Sequence, residues 1–177
     1  MKSKEILHIV MAIIIFAIIL SFQPVLSQDT LFIPLALLFS AVIILVNIFG
    51  KKITARSLDA GVEHKLWQWS RFGLKETHHL KRPIPVGIIL PLIISAFSIG
   101  AVKVMTFLEY ETTALKKRAA RRHGFYSFTE MTDWHNALVG AGGIIALLIL
   151  SAIAYFIPPL ETLSRLSAFY AFWNIIP

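Results

Sequence analysis

His78 and His79 stand side by side two residues after Glu76, and His64 follows Glu63. Imidazole and carboxylate are ordinary zinc ligands, so these residues are the first place to look for chemistry. Their spacing argues against a preformed site. No second histidine lies four residues from His78 or His79, the separation that stacks two imidazoles on one helical face, and adjacent side chains generally point apart. With Lys75, Lys81 and Arg82 around them, they read better as interfacial residues touching headgroups. Zinc on His64, His78 and His79 is the weaker reading. His8 and His135 read as interface residues at helix starts. The chain has no cysteine, which removes thiol nucleophiles, disulfides and Cys-ligated zinc. It shows no Gly-rich phosphate loop, no Ser/His/Asp set and no paired-carboxylate site. Glu109 and Glu111 would face apart on a helix.

Two further groups concern packing and polarity. Gly140-Ala141-Gly142-Gly143 is followed by Ala146, with Gly142 and Ala146 at i and i+4 and the pair Ala137 and Ala141 repeating that spacing. In lipid no hydrophobic drive joins helices, so small residues that let backbones touch make the specific contacts. Helix packing is therefore the reading of Ala137, Gly140, Ala141, Gly142, Gly143 and Ala146. In the closing run, Asn174 lies among apolar residues, where an amide is costly unless partnered. Pro177, three residues on, frees backbone carbonyls. Together Asn174 and Pro177 predict a bent helix with a polar pocket at the bend.

Asn174-Ile175-Ile176-Pro177 resembles the Asn-x-x-Pro element of site-2 proteases, the intramembrane zinc metalloproteases. In that family the element follows a helix bearing Gly-Pro-x-x-Asn, and Gly142-Gly143-Ile144-Ile145-Ala146 holds a comparable place. Lys81-Arg82-Pro83-Ile84-Pro85-Val86-Gly87 is similar to the basic, Pro-rich lead into the membrane-embedded irregular region of archaeal members. The resemblance covers residues 80–177. It departs from the family where the chemistry lives. His-Glu-x-x-His, which sets two imidazoles one turn apart with Glu as general base, is missing. The Pro and Asn of the helix motif are Gly143 and Ala146 here, and the family's Asp ligand would fall beyond Pro177. What the resemblance implies is a scaffold relative without hydrolytic chemistry, a pseudoprotease.

These residues must be positioned by apolar elements. Residues 6–26, 30–50 and 138–160 hold no charged side chain, and about 20 helical residues cross a hydrocarbon layer of roughly 30 Å. Lys2 and Lys4, the apolar run and Val25-Leu26-Ser27-Gln28 could pass for a secretory signal; we read them as a first transmembrane helix. A tight link at 27–30 makes the second helix its antiparallel neighbour, ending near Gly50 with Lys51 and Lys52 as stop cations. Residues 51–82 turn polar and aromatic, with Trp67, Trp69 and Phe72 beside cations, as interfacial segments do. For the apolar run 84–102 two readings compete. Its prolines and glycines suit a re-entrant segment, while its length and Ile/Leu density favour a full crossing, the preferred reading. Residues 104–120 are expected to continue as a projecting helix, and the next helix to run from about Asp133 to Phe156. The chain stops in mid-pattern at Pro177, so a further tail is expected.

The charge is +7 with 15% charged residues, and 14 of the 17 Lys and Arg lie between Lys51 and Arg122. Each cation beside an anionic leaflet contributes about 1 kcal/mol. Lys81, Arg82, Lys116, Lys117, Arg118, Arg121 and Arg122 are thus the expected surface for anionic headgroups or an acidic partner; a solvated topological anchor is the other reading. Nucleic acid is not expected, since no binding module accompanies the charge.

The expected fold is an all-α, polytopic integral membrane helical bundle of four to five membrane segments. It comprises a transmembrane hairpin (1–50), a basic aromatic-rich membrane-surface region (51–82) and a Pro/Gly-interrupted stretch (83–177). The positive-inside bias puts the N-terminus in the cytoplasm of a multi-pass cell-membrane protein. The expected function is a non-catalytic site-2 protease-like scaffold that binds transmembrane helices, a membrane partner or a second copy, with no cofactor. The alternatives are a zinc-dependent intramembrane protease with ligands partly beyond Pro177, and a structural subunit of a larger membrane complex.

Overall fold

The uncharged runs fold as helices that are apolar all round. In the computed structural model, residues 3–29, 31–71, 79–115 and 131–175 are described. Among them the elements in order are α1 (Ser3–Leu26), α2 (Phe32–Ser57), β1 (Ala60–Leu66), β2 (Trp69–Arg71), β3 (His79–Ile84), α3 (Val86–Phe97), β4 (Leu108–Ala114), α4 (Asp133–Tyr155), a 3-10 turn (Pro158–Leu160) and α5 (Glu161–Trp173). Helices α1, α2 and α4 are long and apolar enough to cross a membrane. On α1, Ile9, Ala12, Phe16 and Ile19 are buried while Leu7, Val10, Ile14 and Ile18 are exposed, so both faces are hydrocarbon. A helix in water keeps one face polar; one apolar on every side belongs in lipid or a large core. This is the pattern of a membrane protein.

The all-α expectation is corrected by four strands in two two-stranded sheets, β1 with β4 and β2 with β3. The cause is a change of period. Ala60, Val62, His64 and Leu66 are buried and the residues between them are half-buried, the alternation a strand imposes. The projecting helix expected over 104–120 is replaced in part by β4, Leu-Glu-Tyr-Glu-Thr-Thr-Ala, whose Thr pair and Tyr suit a pleated surface. β2 and β3 pair antiparallel, Trp69 with Ile84 and Arg71 with His79, with a register irregularity between them. Nor does Gly50 end the second helix: α2 continues through Lys51 and Lys52 to Ser57.

The chain divides into two compact units: Ala41–His64 with Tyr110–Pro177, and Lys2–Ser40 with Lys65–Glu109. In the second of these, one residue organises the irregular part. Trp67 N–H donates to Phe107 O at 2.9 Å, and Gly87 N–H donates to Trp67 O at 2.9 Å. The chain therefore meets Trp67 at the start of α3, twenty residues on, and again after α3 at Phe107, forty residues on. A side chain at Gly87 would stand 2.5 Å from Phe107 O, so glycine is what permits the close return. The Phe107 ring lies on Phe16, centroids 5.3 Å apart, beside the middle of α1. At the far end, the space around Gly100 is filled by Phe22 and Gln23 near the end of α1. The preferred reading of 84–102 as a crossing is corrected: α3 has 12 residues, about 18 Å at the helical rise and short of a roughly 30 Å core. The reversal follows from Ile99 and Gly100, both left-handed at φ 54° and 75°.

In the other unit, α4 and α5 form an antiparallel hairpin around the 3-10 turn. Its seam carries a reciprocal exchange: Ser151 Oγ donates to Ser164 O and Ser164 Oγ donates to Ser151 O, both at 2.8 Å. Hydroxyls of this kind join helices where apolar packing has no preferred partner. Beside the hairpin, Ala55, Ala60, Val62 and Val139 form a small core with Leu58, Tyr110 and Met131 packed against it.

Ile99 is a β-branched residue in left-handed backbone and is 65% exposed. Left-handed geometry costs a residue of this kind about 1–2 kcal/mol, and Asn tolerates it better. Ile99→Gly, which adopts positive φ without bringing a polar group to this apolar turn, is expected to raise thermal stability in detergent by about 1 kcal/mol; a lower melting temperature would contradict the strained turn.

Candidate functional site

The polar residues of α2 that lie at i, i+3, i+4 and i+7 converge on one place. Asn47, Gly50, Lys51 and Thr54 share a helical face by that spacing, and the face meets the glycines of α4. A side chain added at Gly50 would stand 2.6 Å from both Gly142 O and Ala146 Cβ, and one added at Gly143 would stand 2.6 Å from Asn47 Oδ1 and 2.8 Å from Lys51 Cγ. At Gly142 a Cβ would overlap Thr54 Oγ1. The two backbones are in contact, as small residues allow. Thr54 Oγ1 turns back to Gly50 O at 3.0 Å, which keeps its hydroxyl satisfied inside the contact.

Asn174, just past the end of α5, supplies the centre. Its Oδ1 accepts from Asn47 Nδ2 at 3.0 Å and from Lys51 Nζ at 3.2 Å, while its Nδ2 donates to Tyr170 O at 2.9 Å. This pattern fixes the amide: turned over, its NH2 would face two donors. Lys51 is 4% exposed and Asn47 3%. The ammonium also lies 4.5 Å from the centre of the Tyr110 ring. Tyr110 is held there by its hydroxyl, which donates to Asn136 O at 2.9 Å, and by the neighbouring bond between Thr112 and Asn136 side chains. Burial raises the pKa of the Tyr110 hydroxyl, and a hydrogen bond with the Gly140 backbone opposes the rise. The phenol therefore stays a neutral donor at physiological pH.

The charge balance is unusual. Among the described residues, the Lys51 ammonium meets an amide oxygen and an aromatic face, and no carboxylate. Burying an ion costs several kcal/mol. A hydrogen bond to a charged group returns about 1.5–3 kcal/mol, and a desolvated cation–π contact about 2. The cluster can hold a cation at depth and orient one amide.

The sequence-derived site residues distribute as follows. Gly142, Gly143 and Ala146 lie in the α2 contact, and Gly140 faces the Tyr110 hydroxyl. Ala141 is half-buried and Ala137 is exposed. Asn174 sits in the polar cluster; Pro177 lies outside the described residues, as do His78, Lys116, Lys117, Arg118, Arg121 and Arg122. Lys81 and Arg82 fall on β3, and His79 begins it. His64 is buried on β1, at 1% exposure. Among the described residues, no group of three or more His, Asp or Glu is placed to hold a metal. Sequence reasoning missed Asn47, Tyr110 and Tyr170, and took Lys51 for a stop cation. The signal for Asn47 and Lys51 was present as a one-face stripe ending in Thr54.

No family model, curated protein or solved structure matches this chain. The site therefore rests on its own geometry.

Replacing Asn174 with Leu leaves a buried ammonium and a buried amide without their acceptor, a loss of about 3–5 kcal/mol. Lys51→Met is expected to be nearly neutral or stabilising, and in the Asn174→Leu background to recover most of the loss. Thermal melting of the two single variants and the double variant measures this. A Lys51→Met protein as unstable as Asn174→Leu would show that the ammonium itself holds the unit together. Gly143→Ala should destabilise by about 1–3 kcal/mol through overpacking against Asn47 and Lys51.

Proposed function

We propose that this chain is a multi-pass membrane protein with a cytoplasmic N-terminus, working as a non-catalytic site-2 protease-like scaffold that binds a transmembrane helix of a partner. The observation that carries the proposal is how the positions matching the family's Gly-Pro-x-x-Asn helix are used. Gly143 and Ala146 press on α2 at Asn47, Lys51 and Gly50. The Asn of the Asn-x-x-Pro element is tied to the same helix. In this reading, residues that would orient a reacting group serve as an internal brace.

The exposed surface of α4 supports partner binding. Ile145, Leu148, Ile149 and Ile153 are 51–58% exposed, a continuous apolar stripe. Because the small-residue face is occupied by α2, a partner helix would pack on this stripe through branched side chains. The cations Lys81, Arg82, Lys116, Lys117, Arg118, Arg121 and Arg122 are proposed to attract anionic headgroups.

A photoreactive residue placed at Ile149 in native membranes tests the proposal. The expected result is a discrete adduct with another membrane protein, absent when the same group replaces Leu7 on α1. Adducts with lipid alone would contradict it. A zinc measurement on purified protein separates the rival chemistry: stoichiometric metal, lost on changing His78 and His79 to Ala, would establish a metalloprotease instead. Other chains co-purifying at a fixed ratio would identify a structural subunit.

A further inference from the structure

The second half of α2 has two faces of different chemistry. Asn47, Gly50, Lys51 and Thr54 lie on the face packed against α4. Leu45, Phe49, Lys52, Ile53 and Arg56 fall on the other side, within roughly a third of a turn of one another at 3.6 residues per turn. Leu45, Phe49 and Ile53 are exposed there, as is Arg56, and Lys52 is half-buried. This outward stripe thus runs from hydrocarbon to cation within three turns. The change falls at a defined depth. The uncharged run ends at Gly50, and about 20 helical residues cross a hydrocarbon layer of roughly 30 Å. Lys52 stands just past that run, and Arg56 one turn, about 6 Å, beyond Lys52. Both cations therefore reach the level of lipid phosphates. Residues 50–57 hold Lys51, Lys52 and Arg56 and no acid, the next carboxylate in the sequence being Asp59. Lys51 is turned inward to Asn174, which leaves Lys52 and Arg56 to set the charge of the outward face.

We propose that this face of α2 binds one anionic glycerophospholipid, its phosphate held between Lys52 and Arg56 and its acyl chains lying along Ile53, Phe49 and Leu45. The inference rests on the reading that α2 crosses the bilayer. Side chains four residues apart on a helix are neighbours, about 5–6 Å between their Cβ atoms, so one phosphate can meet both cations. The guanidinium offers it a two-pronged hydrogen bond and the ammonium a mobile point charge. Net charge selects the head. A phosphate between two cations is attracted by both, whereas a choline head brings a third cation to the same place. The apolar residues select lipid over free phosphate. A dissolved ion gains only the two charges, while a lipid is confined by the bilayer at their level, which raises its effective concentration.

The test uses the full chain in phosphatidylcholine bilayers doped with a photoreactive lipid, either phosphatidylglycerol or phosphatidylcholine with the same group high on an acyl chain. The phosphatidylglycerol probe should label residues 45–56 in excess of the phosphatidylcholine probe, with the ratio on the exposed stripe of α4 as reference. Arg56→Gln and Lys52→Gln should each lower that excess about fivefold, one cation's share beside an anionic leaflet. Lys52→Arg should keep it, and none of the three should move the ratio on α4. Equal labelling of residues 45–56 by the two probes, or an excess unmoved by either glutamine, would overturn the proposal. Loss of the excess to inorganic phosphate at matched ionic strength would also overturn it, since the site would then take a free anion. Absence of labelling by both probes on α2 and α4 alike would instead overturn the membrane reading beneath it.

Discussion

The contact of α2 with α4 at Gly50, Gly142 and Gly143 is the constraint from which the polar cluster follows. Backbones approach this closely only where neither helix presents a side chain, and the absence of a Cβ at Gly143 is what lets the Asn47 carbonyl and the Lys51 stem lie against α4. With any larger residue there, Lys51 would be pushed from Asn174 and from the Tyr110 ring. The same contact settles the strand: Tyr110 reaches the first turns of α4 because its hydroxyl finds Asn136 O, and its ring then covers the ammonium. Packing, hydrogen bonding and charge burial are thus consequences of three missing side chains.

Much of the helical framework was legible in the sequence, because an uncharged run of 20 residues has one economical solution in lipid. Asn174 also declared itself, as an amide in apolar surroundings. Its partners did not. Lys51 directly follows Gly50 and reads as a stop signal, yet α2 continues to Ser57 and carries the lysine into the interior. Periodicity over four positions outranked the local stop signal. The strands were hidden for a different reason. Residues 60–66 alternate in burial, but Glu63, His64 and Lys65 mask the alternation in composition, since His64 is the buried member.

The segment 84–102 shows how composition and geometry can diverge. Its hydrocarbon content is that of a span, but a span must end on the far side, and the bonds of Trp67 N–H to Phe107 O and of Gly87 N–H to Trp67 O bring its two ends together. Non-helical backbone is tolerated at membrane depth when protein satisfies it. Here the turn after α3 does so internally: Gly100 N–H donates to Ser95 O at 2.8 Å, and Val102 N–H donates to Ser98 Oγ at 3.1 Å. The prolines at 83, 85 and 91 therefore mark a shape, and the hydrophobicity around them marks a medium.

A lysine buried, among the described residues, without a carboxylate is a poor device for stability, since an apolar residue of similar volume would cost less. Its arrangement explains what is gained. Three hydrogen bonds meet at the Asn174 amide, from Asn47, from Lys51 and to Tyr170 O. Sliding the end of α5 by one helical turn, about 5.4 Å, would break the two that cross between helices and leave a cation unpaired. Apolar side chains in lipid impose no comparable penalty on a slip, because one hydrocarbon contact is much like the next. The reciprocal Ser151–Ser164 bonds fix α5 against α4 in the same manner. Between them, the two polar contacts set the register of a hairpin whose apolar surface alone would leave it free to shift.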